Sequence, residues 1–199
     1  MFVQVIRGKA TDAAGLRKQL DRWQEELAPG AEGMLGSTGG VTADNEFFTA
    51  VRFESAEVAE RNGSRPEQDA WWSETQSYLT DVSFENSEHV DTWKDGGSDD
   101  AGFVQVMSYK IKDRAKAQEL WDEMTSLPDD RPDVLGALSI IGDNDQATDV
   151  IYFSSEAEAR ENEKKQPEGR SAEIMQEWMG LVDGEISFLD LTEPWLFTR

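Results

Sequence analysis

The chain contains no cysteine, which excludes disulfide bonding and thiolate chemistry and leaves redox usage silent about compartment. Histidine is almost missing as well. His89 is the only one among 199 residues, and neither a metal-spaced His or Cys cluster nor a Ser-His or Cys-His triad can be assembled around it. Long hydrophobic runs do not occur: none reaches the ~20 apolar residues that cross a bilayer. The N-terminus enters an alternating pattern directly, without a basic segment leading into an apolar one, so a soluble, cytoplasmic protein with no membrane partner is expected. Positive charge is scarce, with 19 Lys and Arg against 41 Asp and Glu, a formal net charge of −22, and the basic residues form no run. Such a field repels phosphate backbones, so nucleic acid is not an expected partner. Solubility accounts for the acidity; steering of a cationic ligand is the alternative. No P-loop is present, nor a glycine-rich dinucleotide turn between a strand and a helix.

What the chain does contain is itself, twice. "FVQV" at Phe2–Val5 returns at Phe103–Val106, and Lys9 and Asp12 return as Lys110 and Asp113, all at a spacing of 101. Leu35-Gly36, Phe53, Ser55, Ala59 and Asn62 recur as Leu135-Gly136, Phe153, Ser155, Ala159 and Asn162 at a spacing of 100, and Pro66-Glu67 recurs as Pro167-Glu168. Each half closes on a tryptophan, Trp93 or Trp195. A period this long with so little drift means duplicated domains. The expected division is 1–93 for the first half, 94–102 for a Gly/Asp/Ser-rich linker with nothing apolar to anchor it, and 103–199 for the second half.

Within each half the pattern reads strand, helix, strand, strand, helix, strand. A strand from Phe2 precedes a helix from about Asp12, whose Leu16, Leu20, Trp23 and Leu27 recur every three or four residues until Pro29-Gly30 ends it. In the second half Ala117, Trp121, Met124 and Leu127 form the matching stripe before Pro128. Strands near 33–41 and 46–53 are joined by Ala43-Asp44-Asn45, and their counterparts by Gly142-Asp143-Asn144-Asp145. Asp143, Asn144, Asp145 and Asp149 lack the central glycine and distal glutamate of a calcium loop, so a turn is expected there and no metal site. Ser55 and Ser155 are expected helix caps, and Pro66-Glu67 and Pro167-Glu168 expected helix starts. Final strands fall near 82–84 and 185–191. This βαββαβ order specifies an α+β fold of two ferredoxin-like repeats. Apolar residues alternate onto both faces of the first strand, so the two antiparallel sheets are expected to pack together as an intramolecular dimeric α/β barrel, a pseudo-dimer in one chain with a further homo-oligomer left open.

"FVQV", "RFESAEVAE", "YFSSEAEAR" and the Pro-Glu helix starts resemble the dimeric α/β-barrel superfamily, in particular the antibiotic biosynthesis monooxygenase-like domains, once per half. The resemblance implies a small-molecule pocket between sheet and helices, with cofactor-free oxygenation of polycyclic aromatics and oxidative haem degradation among the family's activities. Haem-degrading relatives place an asparagine on strand one, a tryptophan after strand three and an iron-ligating histidine on the next helix. The corresponding stretches here hold Gln4 and Gln105, then Arg61, Asn62 and Asn162, then Ala70-Trp71-Trp72, so haem degradation is not expected and no cofactor is implied.

The candidate ligand-binding residues are Gln4, Asn62, Trp71, Trp72, Tyr78, Gln105 and Asn162. An amide on a strand buried on both faces must find partners, so Gln4 and Gln105 either orient a ligand or bond across the barrel. Asn62 and Asn162 either line a pocket mouth or cap the helix they end. Neighbours on a helix lie ~100° apart, so one of Trp71 and Trp72 is core and the other pocket wall or interface. Tyr78, Tyr109 and Tyr152 either donate to a substrate oxygen or bury their rings at a sheet edge. The leading functional expectation is a protein binding a small apolar molecule, a cofactor-independent monooxygenase-like enzyme acting on an aromatic substrate, with no catalytic residue identified. The rival is a non-catalytic binding or stress-related module. The halves differ at Trp71, Trp72 and His89, and if one pocket works it is expected in the first.

Overall fold

A computed structural model describes residues 1–128 and 131–199. They form two compact units, Met1–Val90 with Glu193–Arg199, and Asp91–Thr192. The first contains β1 (Phe2–Ala10), α1 (Ala13–Arg22), β2 (Met34–Val41), β3 (Glu46–Phe53), α2 (Ala56–Gly63), α3 (Pro66–Thr75) and β4 (Leu79–Ser87). β5 (His89–Trp93) leads into the second unit, which holds β6 (Phe103–Ile111), α4 (Arg114–Ser126), β7 (Val134–Ile141), β8 (Gln146–Phe153), α5 (Glu156–Asn162), α6 (Gly169–Leu181) and β9 (Val182–Leu191). β10 (Trp195–Thr198) completes the first. The sheets run β10-β2-β3-β1-β4 and β5-β7-β8-β6-β9, so the fold is α+β with two ferredoxin-like repeats, each extended by a fifth strand.

Those fifth strands correct the expected boundaries. β10, at the end of the second half of the sequence, pairs antiparallel with β2 of the first, with Trp195 opposite Gly39 and Phe197 opposite Ser37. β5, at the end of the first half, lies beside β7 in the second sheet. Nor is 94–102 an unanchored linker. Lys94 donates through Nζ to the Val134 carbonyl at 2.6 Å, Gly96 and Ala101 are buried, and the Gly102 amide donates to the Phe153 carbonyl at 3.0 Å.

The local signals act as their chemistry dictates. Asp12 and Asp113 accept from the amides of Gly15 and Lys116 at 2.9 and 3.0 Å, and Ser55 and Ser155 cap α2 and α5 in the same way. Each such cap is worth about 1 kcal/mol. Pro66 opens α3, but α6 starts at Gly169, two residues after Pro167, with Glu168 in the capping position. Asn45 and Asp145 take the left-handed conformation in the hairpin turns (φ 64° and 63°), which short polar side chains tolerate. Along α1 and the turn that follows it the expected stripe is buried at Leu16, Trp23 and Leu27, whereas along α4 it centres on Ala117 and Leu120, with Trp121, Met124 and Leu127 only half-buried. Burying a leucine as fully as Leu16 or Leu120 contributes roughly 1.5–3 kcal/mol.

Candidate functional site

Between the sheet and helices of the first unit lies a cavity of about 530 Å³. Its floor is the helix-facing side of the sheet, with Phe2, Gln4 and Ile6 on β1 and Thr49, Val51 and Phe53 on β3 at every second position, as the pleat requires. Its roof is Trp23, Trp71 and Trp72, and Phe84 on β4 stands at the rim. Trp23 enters through a π turn, Trp23–Leu27, that widens the chain where α1 ends; such turns recur at functional sites.

The roof is fixed by hydrogen bonds from two of its three indoles. Trp71 Nε1 donates to the Gln19 carbonyl at 2.8 Å, and Trp23 Nε1 donates to Gln68 Oε1 at 2.7 Å. Trp23 and Trp71 have ring centroids 6.4 Å apart, Trp71 and Trp72 6.1 Å, and Trp72 meets Phe84 edge-on at 5.4 Å. Trp71 is buried and Trp72 half-buried, yet both line the cavity, because one ring forms its inner wall and the other extends that wall toward Phe84. β10 backs the same wall, with Phe197 edge-on to Trp23 at 6.1 Å and Trp195 6.4 Å from Phe47.

Nine of the lining residues are polar or charged, among them two amides that differ in how they are satisfied, Gln4 and Asn62. Gln4 donates through Nε2 to Asn86 Oδ1 on the neighbouring strand at 3.1 Å, so its partner is on its own sheet and not across a barrel. Asn62 lies inside α2, not in a left-handed cap, and is only 7% exposed, and its Oδ1 is buried without a hydrogen-bond partner. An unmet buried carbonyl costs ~1–3 kcal/mol, which a ligand or water would recover.

The second unit satisfies the matching amide on both sides: Asn162 Oδ1 accepts from Lys165 Nζ, whose counterpart 101 residues earlier is Ser64, and the amide N–H meets a carboxylate. Asn162 hydrogen-bonds Asp133, which Arg131 grips through two bonds of 2.9 and 2.8 Å and holds below the usual carboxylate range. At the position 100 residues earlier stands Gly33, which has no side chain to offer. Similar replacements occur elsewhere. Where the first unit has Gly8, Gly39 and Thr49, the second has Tyr109, Ser139 and Asp149, and there Tyr109 Oη and Ser139 Oγ donate to the buried Asp149 carboxylate at 2.6 and 2.7 Å. Burial raises the Asp149 pKa, and burial together with the adjacent carboxylate raises that of Tyr109 far beyond the phenol range. Trp178 on α6, four residues before β9 as Thr75 is four before β4, packs edge-on against Tyr109 at 6.4 Å. Gln105 donates to Asp190 at 3.0 Å, and Arg160 reaches the same carboxylate while its guanidinium lies 5.1 Å from the centre of the Phe103 ring.

Of the seven sequence candidates, Gln4, Asn62, Trp71 and Trp72 are therefore brought together in one cavity. Tyr78 packs instead in the cluster of Leu16 and Leu79, and Gln105 and Asn162 belong to the filled unit. Phe84, Asn86 and the Gly8, Gly39 and Gly33 positions escaped the sequence reading, although aligning the two halves residue by residue would have exposed the glycines. Among the described residues no group of three or more His, Cys, Asp or Glu could hold a metal, and no helix is long and apolar enough to cross a membrane.

No protein-family model and no curated protein sequence matches the chain. Solved structures do. A candidate monooxygenase from Fusobacterium nucleatum superposes with a TM-score of 0.79 at 7% identity, covering 100% of this chain and 94% of that one. One from Lactobacillus acidophilus gives 0.75 at 12% identity, over 99% and 95%. The fold is that of the monooxygenase-like ferredoxin-fold proteins. An anthrone oxidase-like protein follows with a TM-score of 0.62 and 13% identity, over 100% of this chain and 92% of that one. At these identities the likeness is one of architecture, and it spans both repeats.

Proposed function

We propose that the first unit binds an apolar aromatic small molecule and oxidises it with dioxygen, without a cofactor. The observation that carries this reading is the aromatic-walled cavity with one buried, unpartnered carbonyl, Asn62 Oδ1, in its lining, an acceptor for a phenolic O–H. A ligand pocket is typically apolar with a few placed polar groups, and 530 Å³ lies within the usual size range. The anthrone oxidase-like neighbour favours a polycyclic phenol or ketone whose own C–H is acidic, so that no strong base is needed. Loss of that proton gives an enolate, whose oxygen would accept from the side-chain N–H groups of Asn62 or Gln4, and the aromatic roof excludes water. Dioxygen takes electrons from the carbanion carbon and adds to it. One oxygen atom stays as a new carbonyl and the other leaves as water with the two hydrogens lost from carbon.

The cavity lining contains no histidine, lysine or arginine, and this favours the second reading, a binding module without chemistry. A thermal-shift screen against haem, flavin, fatty acids and polycyclic phenols separates the readings, because a ligand that binds only the folded chain raises Tm by mass action. The proposal expects a shift with polycyclic phenols and oxygen uptake in their presence. A shift without uptake supports the binding module; no shift with any aromatic overturns both.

A further inference from the structure

Two carboxylates lie in the lining of the cavity, Glu60 on α2 and Asp69 on α3. Both are exposed, and neither has an ion-pair partner among the described residues. The second unit treats the same place in the opposite way. At the position 100 residues after Glu60 stands Arg160, whose guanidinium covers Phe103, the counterpart of Phe2, and hydrogen-bonds Asp190. The filled unit thus seats a cation over this aromatic ring. The hollow unit keeps the ring, puts a carboxylate where the cation's stem would be, and supplies no positive side chain to its lining. Acidic residues alone would only mark a solvated rim. Here they open onto a built cavity whose Asn62 carbonyl, on a side chain 7% exposed, has no partner.

We infer that the ligand of the first unit is an aromatic molecule bearing a protonated amine, with its rings between Phe2 and the tryptophan roof and its ammonium group at Glu60 and Asp69. The inference rests on the aromatic-ligand reading above and adds the charge. An ammonium group there would meet the carboxylates of the lining, and its N–H groups are donors of the kind Asn62 Oδ1 lacks. A ligand carboxylate would meet like charge with no compensating cation.

The test uses the full-length chain and three probes with one aromatic body: 9-(aminomethyl)anthracene, 9-anthracenemethanol and 9-anthracenecarboxylic acid, titrated while tryptophan fluorescence is followed. The expected order is amine, alcohol, acid, with the amine about three- to tenfold tighter than the alcohol, the scale of one or two solvent-accessible ion pairs. Added salt should weaken the amine alone, and Glu60→Gln with Asp69→Asn should bring amine and alcohol together. Equal binding of amine and alcohol, or tightest binding of the acid, overturns the inference and leaves the aromatic site standing. An amine preference that survives both substitutions assigns it to the general field of an acidic chain and overturns the site. Quenching by none of the three overturns the aromatic site as well. Should the double variant fail to fold, Glu60→Gln and Asp69→Asn are each tested alone, and an amine–alcohol gap that neither narrows overturns the site.

Discussion

The two units share a backbone plan and diverge at the few positions that decide whether a sheet and its helices enclose space. Tyr109, Ser139, Asp149 and Trp178 form a packed, hydrogen-bonded cluster in one unit where the other has Gly8, Gly39, Thr49 and Thr75, of which the two threonines line the cavity. Gly8 and Tyr109 both sit where the pairing of their strand with the closing strand slips, by one residue at Gly8 and by two at Tyr109. At Gly8 a Cβ would come within 2.9 Å of the Thr80 carbonyl, so the glycine also permits a close backbone approach. Duplication lets one copy keep a site while the other turns the same architecture into packing, and polar side chains reveal which copy did which. In the filled unit Asn162 and Asp149 have partners; in the hollow unit Asn62 Oδ1 has none.

If this contrast is right, emptying the filled unit is the costliest change. Tyr109→Ala removes a buried ring and one of the two side-chain donors to Asp149, and should lower stability by about 3–5 kcal/mol in urea unfolding. Enlarging the floor should hurt one unit and not the other. Ile151→Phe overpacks the second unit at a cost of about 1–3 kcal/mol, whereas Val51→Phe grows into the cavity, leaves stability nearly unchanged and blocks aromatic ligands. Gln4→Leu should weaken ligand binding about tenfold, roughly 1.4 kcal/mol, while Gln105→Leu leaves it unchanged, as isothermal titration of both variants would show.

The smallest effect concerns Asp149, whose carboxyl holds its proton to a higher pH in the folded chain than in the unfolded one. Such a group favours the folded state in acid and loses that contribution as pH rises from the ordinary value of 3.8 through its raised folded pKa. Asp149→Asn should remove this fall. The Tm of the variant should gain on that of the native chain as pH rises from about 3, and parallel Tm-versus-pH curves would refute the burial account.

Much of this plan was readable before any coordinates because a repeat checks itself. The Ser55 and Ser155 caps, the hairpin turns at Asn45 and Asp145 and the paired β1 and β6 patterns agree at both copies, so local signals reinforce each other. The fifth strands were missed because His89–Trp93 and Trp195–Thr198 are short, and edge pairing with a distant part of the chain leaves no local periodicity. The cavity was only half legible. Trp71, Trp72, Gln4 and Asn62 announced themselves as large or polar residues in apolar settings, whereas Phe84 and Asn86 on β4 carried no such signal. Asn62 looked like a cap because Gly63 follows it, but α2 continues through both residues and turns the amide toward the cavity.

The central claim is that an aromatic ligand enters the first unit and not the second, and fluorine NMR of the chain labelled with 5-fluorotryptophan tests it most directly. With resonances assigned by single Trp→Phe variants, titration with 9-anthracenemethanol should shift Trp23, Trp71 and Trp72 together and leave Trp93, Trp121 and Trp178 in place. Shifts centred on Trp178, or no shift at the three roof tryptophans at saturating probe, would contradict it.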